Sequence, residues 1–276
     1  MSTERAPQVH PTAYVESTAE LGPGVVVGPF AVIEGGARIG AGCRIGPHVH
    51  IHGCVTLGAE GQVGTHAVLG GPPQDVKYDD DPTTVVIGER CRIYEGATVH
   101  RATGEGRTVL GDDVMLMATS HVGHNAVLED GVILVNGAMV GGHARVCERA
   151  FMSGNSAVHQ FGTVGRLTLV GGACMLIQDA PPFSIVVGSY PVQWRAPNQV
   201  GLRRAGFSGE TRRALRTAFR NLFRSGASLE EVAAGLAEDS VAEVAELGRF
   251  VLDSKRGICG GPVGRATAPE SQGQQS

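Results

Sequence analysis

Aromatic residues are scarce in this chain, 5% of 276 with a single tryptophan, so large rings do not fill its core. No run of 18 or more apolar residues occurs, which removes the ordinary candidate for a membrane-spanning helix. A basic excess is missing as well: 23 Lys+Arg face 27 Asp+Glu, and the net charge of −4 argues against a nucleic-acid binder. The six cysteines form no CxxC pair, and the opening MSTERAPQVH lacks the apolar run of a secretory signal. A soluble cytoplasmic protein with reduced thiols is the expectation. Glycine, by contrast, stands at 41 residues, and hydrophobic residues make up 42%, enough for a sizeable core. Aliphatic filling with frequent turns favours a repetitive β architecture.

A repeat of six is present. Val9, Val15, Leu21, Val27, Ile33 and Ile39 open a series that runs unbroken to Leu69, resumes at Ile87, Ile93 and Val99, and continues from Leu110 to Leu176. Four positions after each comes a small or β-branched residue, such as Ala13, Ala31, Cys43, Cys91 or Cys174. Six residues suit a short strand and a turn, and three such units close a triangular coil whose strands pair in parallel with the coils above and below. Each aliphatic residue then points inward and stacks on its equivalent one coil away.

Sorting by coil gathers histidines. Val122, Val140, Val158 and Leu176 head hexads of one wall; Val99 joins them if Ala102–Val109 is a loop, and Leu69 if Gly70–Val86 is another. His100, His124, His143 and His159 are therefore expected on that wall in successive coils, stacked at the ~4.8 Å spacing of neighbouring strands. His121 falls near a corner. A lone histidine on such a wall is ordinarily a surface or turn residue, but four beside two loops suggest a site. Two chemistries use histidines this way. Three imidazoles hold Zn²⁺ with an open position for water, as in the γ-class carbonic anhydrases; alternatively, one imidazole is a general base for a substrate hydroxyl.

Other motifs choose between these. GGPPQDVKY (70–78), ATVHRAT (97–103), SHVGHN (120–125), AVHQFG (157–162), QDAPPF (178–183) and GLRRAGFS (201–208), in this order on a hexapeptide frame, closely resemble the UDP-N-acetylglucosamine O-acyltransferases of lipid A biosynthesis. The resemblance spans about residues 8–257 and implies a left-handed parallel β-helix (8–190), a small α-helical C-terminal domain (191–257) and assembly as a homotrimer. It implies transfer of a 3-hydroxyacyl chain from acyl carrier protein to the 3-hydroxyl of UDP-N-acetylglucosamine, with no cofactor and no metal. By the same resemblance His124 is the general base and the Gly142 amide the oxyanion donor. Asp75, Lys77, His143 and Gln160 contact substrate, as do His100, His121 and His159; Asn198, Arg203 and Arg204 contact the nucleotide, and Gly172 sets acyl length. Met175 and Leu176 are close enough in sequence to narrow the acyl slot.

The chain departs from the family at Asn125, where aspartate normally pairs with the base. An amide orients an imidazole but stabilises its protonated form poorly, and in the serine-protease example the Asp→Asn change enforces the wrong tautomer. Three readings stay open: a tolerated variant, a different acceptor such as a 3-amino sugar, or a UDP-sugar-binding protein without catalysis. If Asn125 limits the base, Asn125→Asp raises turnover. Val200 and Ala205 also replace an acidic residue and an arginine of the pattern.

Past Pro181 and Pro182 the period becomes helical. Ser208 is placed to cap a helix over Gly209–Arg224, Ser228 begins a second with the capping box SLEE, and a third is expected over Val241–Ser254. On the first helix Arg212, Arg216 and Arg220 recur every four residues with Arg213 beside them, a solvated face or a docking stripe for acidic acyl carrier protein. The Gly-, Pro-, Gln- and Ser-rich stretch 258–276 reads as a disordered tail.

Overall fold

The computed structural model describes residues 5–261. Short strands follow one another around a triangular coil and stack into three sheets, parallel throughout except for the last strand of the first, Gln193–Pro197, which pairs antiparallel with Ser184–Val187. The first wall begins with Gln8–Val9 and has 11 strands, the second begins with Tyr14–Val15 and has nine, and the third begins with Glu20–Leu21 and has eight. Each hexad aliphatic residue points into the prism. Ile33, Ile51, Leu69, Val99, Val122 and Val140, one column of the second wall, are fully buried. Small residues four positions later fill the space beside the corners, and Ala31, Cys43, Cys91 and Cys174 are all 0% exposed. A fully buried Val, Leu or Ile contributes about 1.5–3 kcal/mol, so the stacked columns are the main stabilising feature.

The corners explain which residues the turns accept. Asn125, His143 and Phe161 occupy the same corner in successive coils, with φ of 57°, 58° and 62°. Their backbone N–H groups reach the coil before: His143 donates to His124 O at 2.9 Å and Phe161 to Gly142 O at 3.0 Å. That pairing offsets the cost of the left-handed conformation in a residue with a Cβ.

Two loops leave the frame beside the second wall. Strands Val68–Gly71 and Thr84–Ile87 bound the first, and strands Thr98–His100 and Arg107–Leu110 bound the second, so both excursions are shorter than the sequence suggested. They displace the register: Gln62 pairs with Arg92 and Arg92 with Met115.

Four helices cover the far end of the prism: α1 Gln199–Arg204, α2 Gly209–Arg224, α3 Leu229–Ala237 and α4 Ala242–Asp253. The caps fall where the sequence placed them. Ser208 Oγ accepts from Thr211 N, and Ser228 and Glu231 form the reciprocal box. Their core is aromatic, with Trp194 stacked on Phe219 at 5.3 Å and on Phe223 at 4.8 Å. Arg166 of the last coil ties this layer down, pairing with Glu246 at 2.7 Å and lying over the Phe183 ring. Helix α1 escaped the sequence reading because six residues carry too little periodicity. Ile258 and Cys259, read as the start of a tail, are buried, and Cys259 N donates to Asp179 O at 2.8 Å. The rest of that stretch, 262–276, lies outside the described residues.

Candidate active site

The corner between the second and third walls faces both loops, and the cleft between them encloses about 510 Å³. His124 and His143 line it from the frame, with Gln160 and Phe161 from the next coil; Asp75, Lys77 and Asp81 line it from the first loop, and Thr103 and Gly104 from the second.

His124 is half-buried at the corner after strand His121–Val122. Its Nδ1 lies 2.9 Å from Asn125 Oδ1, and its Nε2 lies 4.0 Å from Asp75 Oδ2. The amide of Asn125 is fixed independently of the histidine. Nδ2 donates to Thr103 O at 3.3 Å and Glu105 O at 3.1 Å, while Oδ1 also accepts from Thr103 N at 3.0 Å. With both amide hydrogens committed to carbonyls, the atom facing the imidazole is an acceptor. Nδ1 therefore carries the hydrogen, and Nε2 keeps its lone pair towards the cleft. The tautomer that an amide was expected to enforce is not the one found, because the second loop, not the imidazole, takes the amide's donors.

Gly142 sits one coil beyond His124 in the same column and is buried beneath its ring. A Cβ there would meet His124 Nε2 at 2.4 Å and Cε1 at 2.6 Å, so only glycine lets the ring lie in this position. Among the described residues the Gly142 N–H has no acceptor.

The histidines do not form the single stack that wall sorting suggested. They fall in different columns, because one is a strand residue, others sit at corners, and residues stack only on equivalents of the same hexad position. His143 shares its column with Asn125 and Phe161 and stacks on the Phe161 ring at 4.7 Å, while meeting His124 edge-on at 5.1 Å. Burial and the neighbouring His124 charge push its pKa down, with Asp75 opposing. His100 is buried behind the cleft, edge-on to His121 at 4.7 Å, and burial followed by the charges of His121, His124 and His52 holds its pKa down to about 4. His121, depressed by burial and by His124, is fixed by Thr98 Oγ1 at 2.8 Å.

His121 and exposed His159 line a second groove of about 300 Å³ on the outer face of the same wall, with Met139, Ala157, Met175 and Ile177 as an almost wholly apolar lining. Gln160 lines both spaces. Gly172 lies exposed at the opposite corner of this wall, three residues before Met175. Met175 is 48% exposed beside the groove, whereas Leu176 is 1% exposed inside the prism and does not narrow an external slot.

Asn198 and Arg204 line neither of these spaces. They border a separate cleft of about 340 Å³ with Arg149 and Gly131, and Arg203 is exposed nearby on α1. Asn198 caps α1, accepting from Gly201 N at 2.9 Å and donating to Leu167 O at 2.9 Å, which consumes much of its hydrogen-bonding capacity. On α2, Arg213, Arg216 and Arg220 are exposed, while Arg212 is half-buried with its Nε donating to Ser208 O at 3.3 Å.

Sequence reasoning assigned no role to Asp81, Thr103 or Phe161. Phe161 was open to coil arithmetic, lying 18 residues after His143. Asp81 and Thr103 were not, since a loop erases register.

Comparison with known proteins gives the same direction throughout. A family model described as Udp N-acetylglucosamine O-acyltransferase, domain 2, matches residues 179–259, and one for the bacterial transferase hexapeptide (six repeats) matches 107–142. The acyl-(acyl-carrier-protein)–UDP-N-acetylglucosamine O-acyltransferase of Paraburkholderia phymatum is 46% identical over 259 residues, 91% of this chain and 98% of that protein. Its counterpart from Burkholderia orbicola is 43% identical over 200 residues, 70% of this chain and 76% of that one. The crystal structure of the Moraxella catarrhalis UDP-N-acetylglucosamine O-acyltransferase superposes with a TM-score of 0.87 at 32% identity, covering 91% of this chain and 98% of that one. The Francisella novicida UDP-N-acetylglucosamine acyltransferase gives 0.90 at 29%, covering 92% and 95%. The coil is accordingly the left-handed parallel β-helix, and this chain belongs to the UDP-N-acetylglucosamine O-acyltransferase family.

Proposed function

We propose that this protein transfers a 3-hydroxyacyl chain from acyl carrier protein to the 3-hydroxyl of UDP-N-acetylglucosamine, with His124 as general base. The observation that carries the reading is the Asn125 amide, locked so that Nδ1 of His124 holds the hydrogen and Nε2 faces the cleft. Nε2 takes the proton of the sugar hydroxyl as its oxygen attacks the thioester carbonyl. The oxyanion forms against the Gly142 N–H, then collapses to the ester and expels the carrier's thiolate, which receives the proton from Nε2. A positioned base of this kind contributes roughly 10²–10⁴-fold, and an oriented oxyanion donor is worth a further 10²–10³-fold. Asn125 lacks the charge to stabilise the imidazolium. Asp75, 4.0 Å from Nε2, supplies it: two unit charges at that distance attract by about 4 kcal/mol at an effective dielectric of 20, before the screening an open cleft adds.

Lys77 extends from the same loop and suits a phosphate as a mobile cation. For the acyl chain the reading takes the apolar groove along the second wall, which Gln160 joins to the catalytic cleft and which leads towards Gly172, with Met175 rather than Leu176 limiting its length. Arg213, Arg216 and Arg220 offer acyl carrier protein a basic stripe. Asn198, Arg203 and Arg204, remote from His124 in one chain, serve the cleft of a neighbouring copy in a homotrimer. The reading is tested by incubating purified protein with 3-hydroxyacyl carrier proteins of several lengths and UDP-N-acetylglucosamine, with products identified by mass. An O-acylated UDP-sugar is expected; transfer solely to a 3-amino sugar nucleotide, or none while the UDP-sugar binds, would replace it.

A further inference from the structure

Three strands along the second wall from the one that precedes His124, its outer face carries a group that the acyl transfer does not use. Glu34 follows strand Val32–Ile33, and on the next strand of the sheet, His50–Ile51, His50 opens the strand and His52 directly follows it. Alternation along a strand puts His50 and His52 on one face, and their rings stack at 4.2 Å. Both point a ring nitrogen at one oxygen: Glu34 Oε1 lies 2.8 Å from His50 Nε2 and 3.1 Å from His52 Nδ1. The other carboxylate oxygen is anchored by Gly53 N at 3.1 Å, which fixes the carboxylate's orientation.

We propose that Glu34, His50 and His52 form a divalent-cation site suited to Zn²⁺, with water in the fourth position. The three ligand atoms all lie within 4.8 Å of one another. Tetrahedral zinc with bonds of 2.0–2.1 Å needs ligand atoms ~3.3–3.4 Å apart, so the two histidine–glutamate separations need only small adjustments. Two imidazoles and a carboxylate form a donor set that zinc takes readily. On binding, the hydrogen now shared with Oε1 moves to the opposite ring nitrogen of each neutral imidazole, so no net proton need leave. The ionisation states agree with this. Burial lowers the His52 pKa against the pull of Glu34, and for Glu34 burial is opposed by the Gly53 and His50 hydrogen bonds together with the attraction of His52 and His50, so that its pKa is lowered on balance. The opposing charge is Arg101, which faces His52 but is engaged by the Tyr78 hydroxyl at 2.8 Å.

The location gives the site a use. The first coil is the exposed end of the prism, with Val9 43% exposed where later aliphatic residues are buried. A cation bridging Glu34 to His50 and His52 would staple the second wall next to that end.

The test is zinc titration by calorimetry on untagged, chelator-stripped protein, with the Co²⁺ absorption spectrum as a second readout. One ion per chain, a tetrahedral Co²⁺ spectrum, and at least tenfold weaker binding in both Glu34→Gln and His52→Asn are expected, with His124→Ala binding as wild type does. Melting without metal verifies that each variant folds, and zinc should raise the melting temperature of the wild type and not of Glu34→Gln. No binding by the wild type, an octahedral spectrum, or binding abolished by His124→Ala would overturn the proposal and leave the trio a hydrogen-bonded cluster.

Discussion

Replacing Asn125 by aspartate restores the charge that the family pattern carries, yet the structure predicts a slower enzyme. The amide donates to Thr103 O and Glu105 O at 3.3 and 3.1 Å, and a carboxylate oxygen in that place would confront both carbonyls as a third acceptor. Each lost partner costs about 1 kcal/mol, the low end of the range for an unsatisfied group, because Glu105 is exposed and water can enter. The sum, about 2 kcal/mol, falls on the loop that shapes the cleft. Rotating the carboxylate away from the carbonyls also loosens its hold on His124 Nδ1. Since 1.4 kcal/mol is a factor of ten in rate, a fall of up to about thirtyfold in kcat is expected if the whole cost is felt in the transition state, with a lower melting temperature. The assay is steady-state transfer at saturating UDP-sugar, read beside a thermal melt. A several-fold rise in kcat with unchanged melting would refute the reasoning and show that the missing charge, not the loop, limits the base.

Gly142→Ala puts a Cβ 2.4 Å from His124 Nε2, so the ring must swing aside; a misplacement of this size costs on the order of 10² in kcat, while the UDP-sugar Kd by calorimetry should change little. Arg216→Glu with Arg220→Glu should raise KM for acyl carrier protein in a salt-sensitive way and leave kcat alone; an unchanged KM would remove α2 as the docking surface. His100 titrates near 4 in the folded protein against 6.5 unfolded, so the unfolded chain takes the proton first as pH falls. Its contribution is whole above about pH 6.5 and is lost towards pH 4, up to about 3 kcal/mol, and His100→Gln should flatten the denaturation midpoint across that window if the assignment holds.

Much of the frame was readable from the chain because a hexad that never slips within a block leaves each aliphatic residue one place to go. The caps of α2 and α3 were equally plain, Ser208 and Ser228 announcing them by type and spacing. Legibility failed where position depends on a loop. That His143 stacks on Phe161 instead of His124 follows from hexad position, which sorting by wall discarded. The direction of the Asn125 amide could not be read at all, because it is set by carbonyls of Thr103 and Glu105 in an excursion without periodicity. The assignment of Ile258 and Cys259 to a tail failed differently: composition described the stretch on average, while the first two residues pack against Asp179 and the helical layer.

The claim on which the account rests is that His124 removes the proton. Single-turnover transfer with His124→Ala, set beside its UDP-sugar Kd, tests it most directly: a fall of roughly 10²–10⁴-fold in rate with Kd held within a few-fold is predicted. A rate within a few-fold of wild type would contradict it and pass the role to another group in the cleft, with Asp75 first in line.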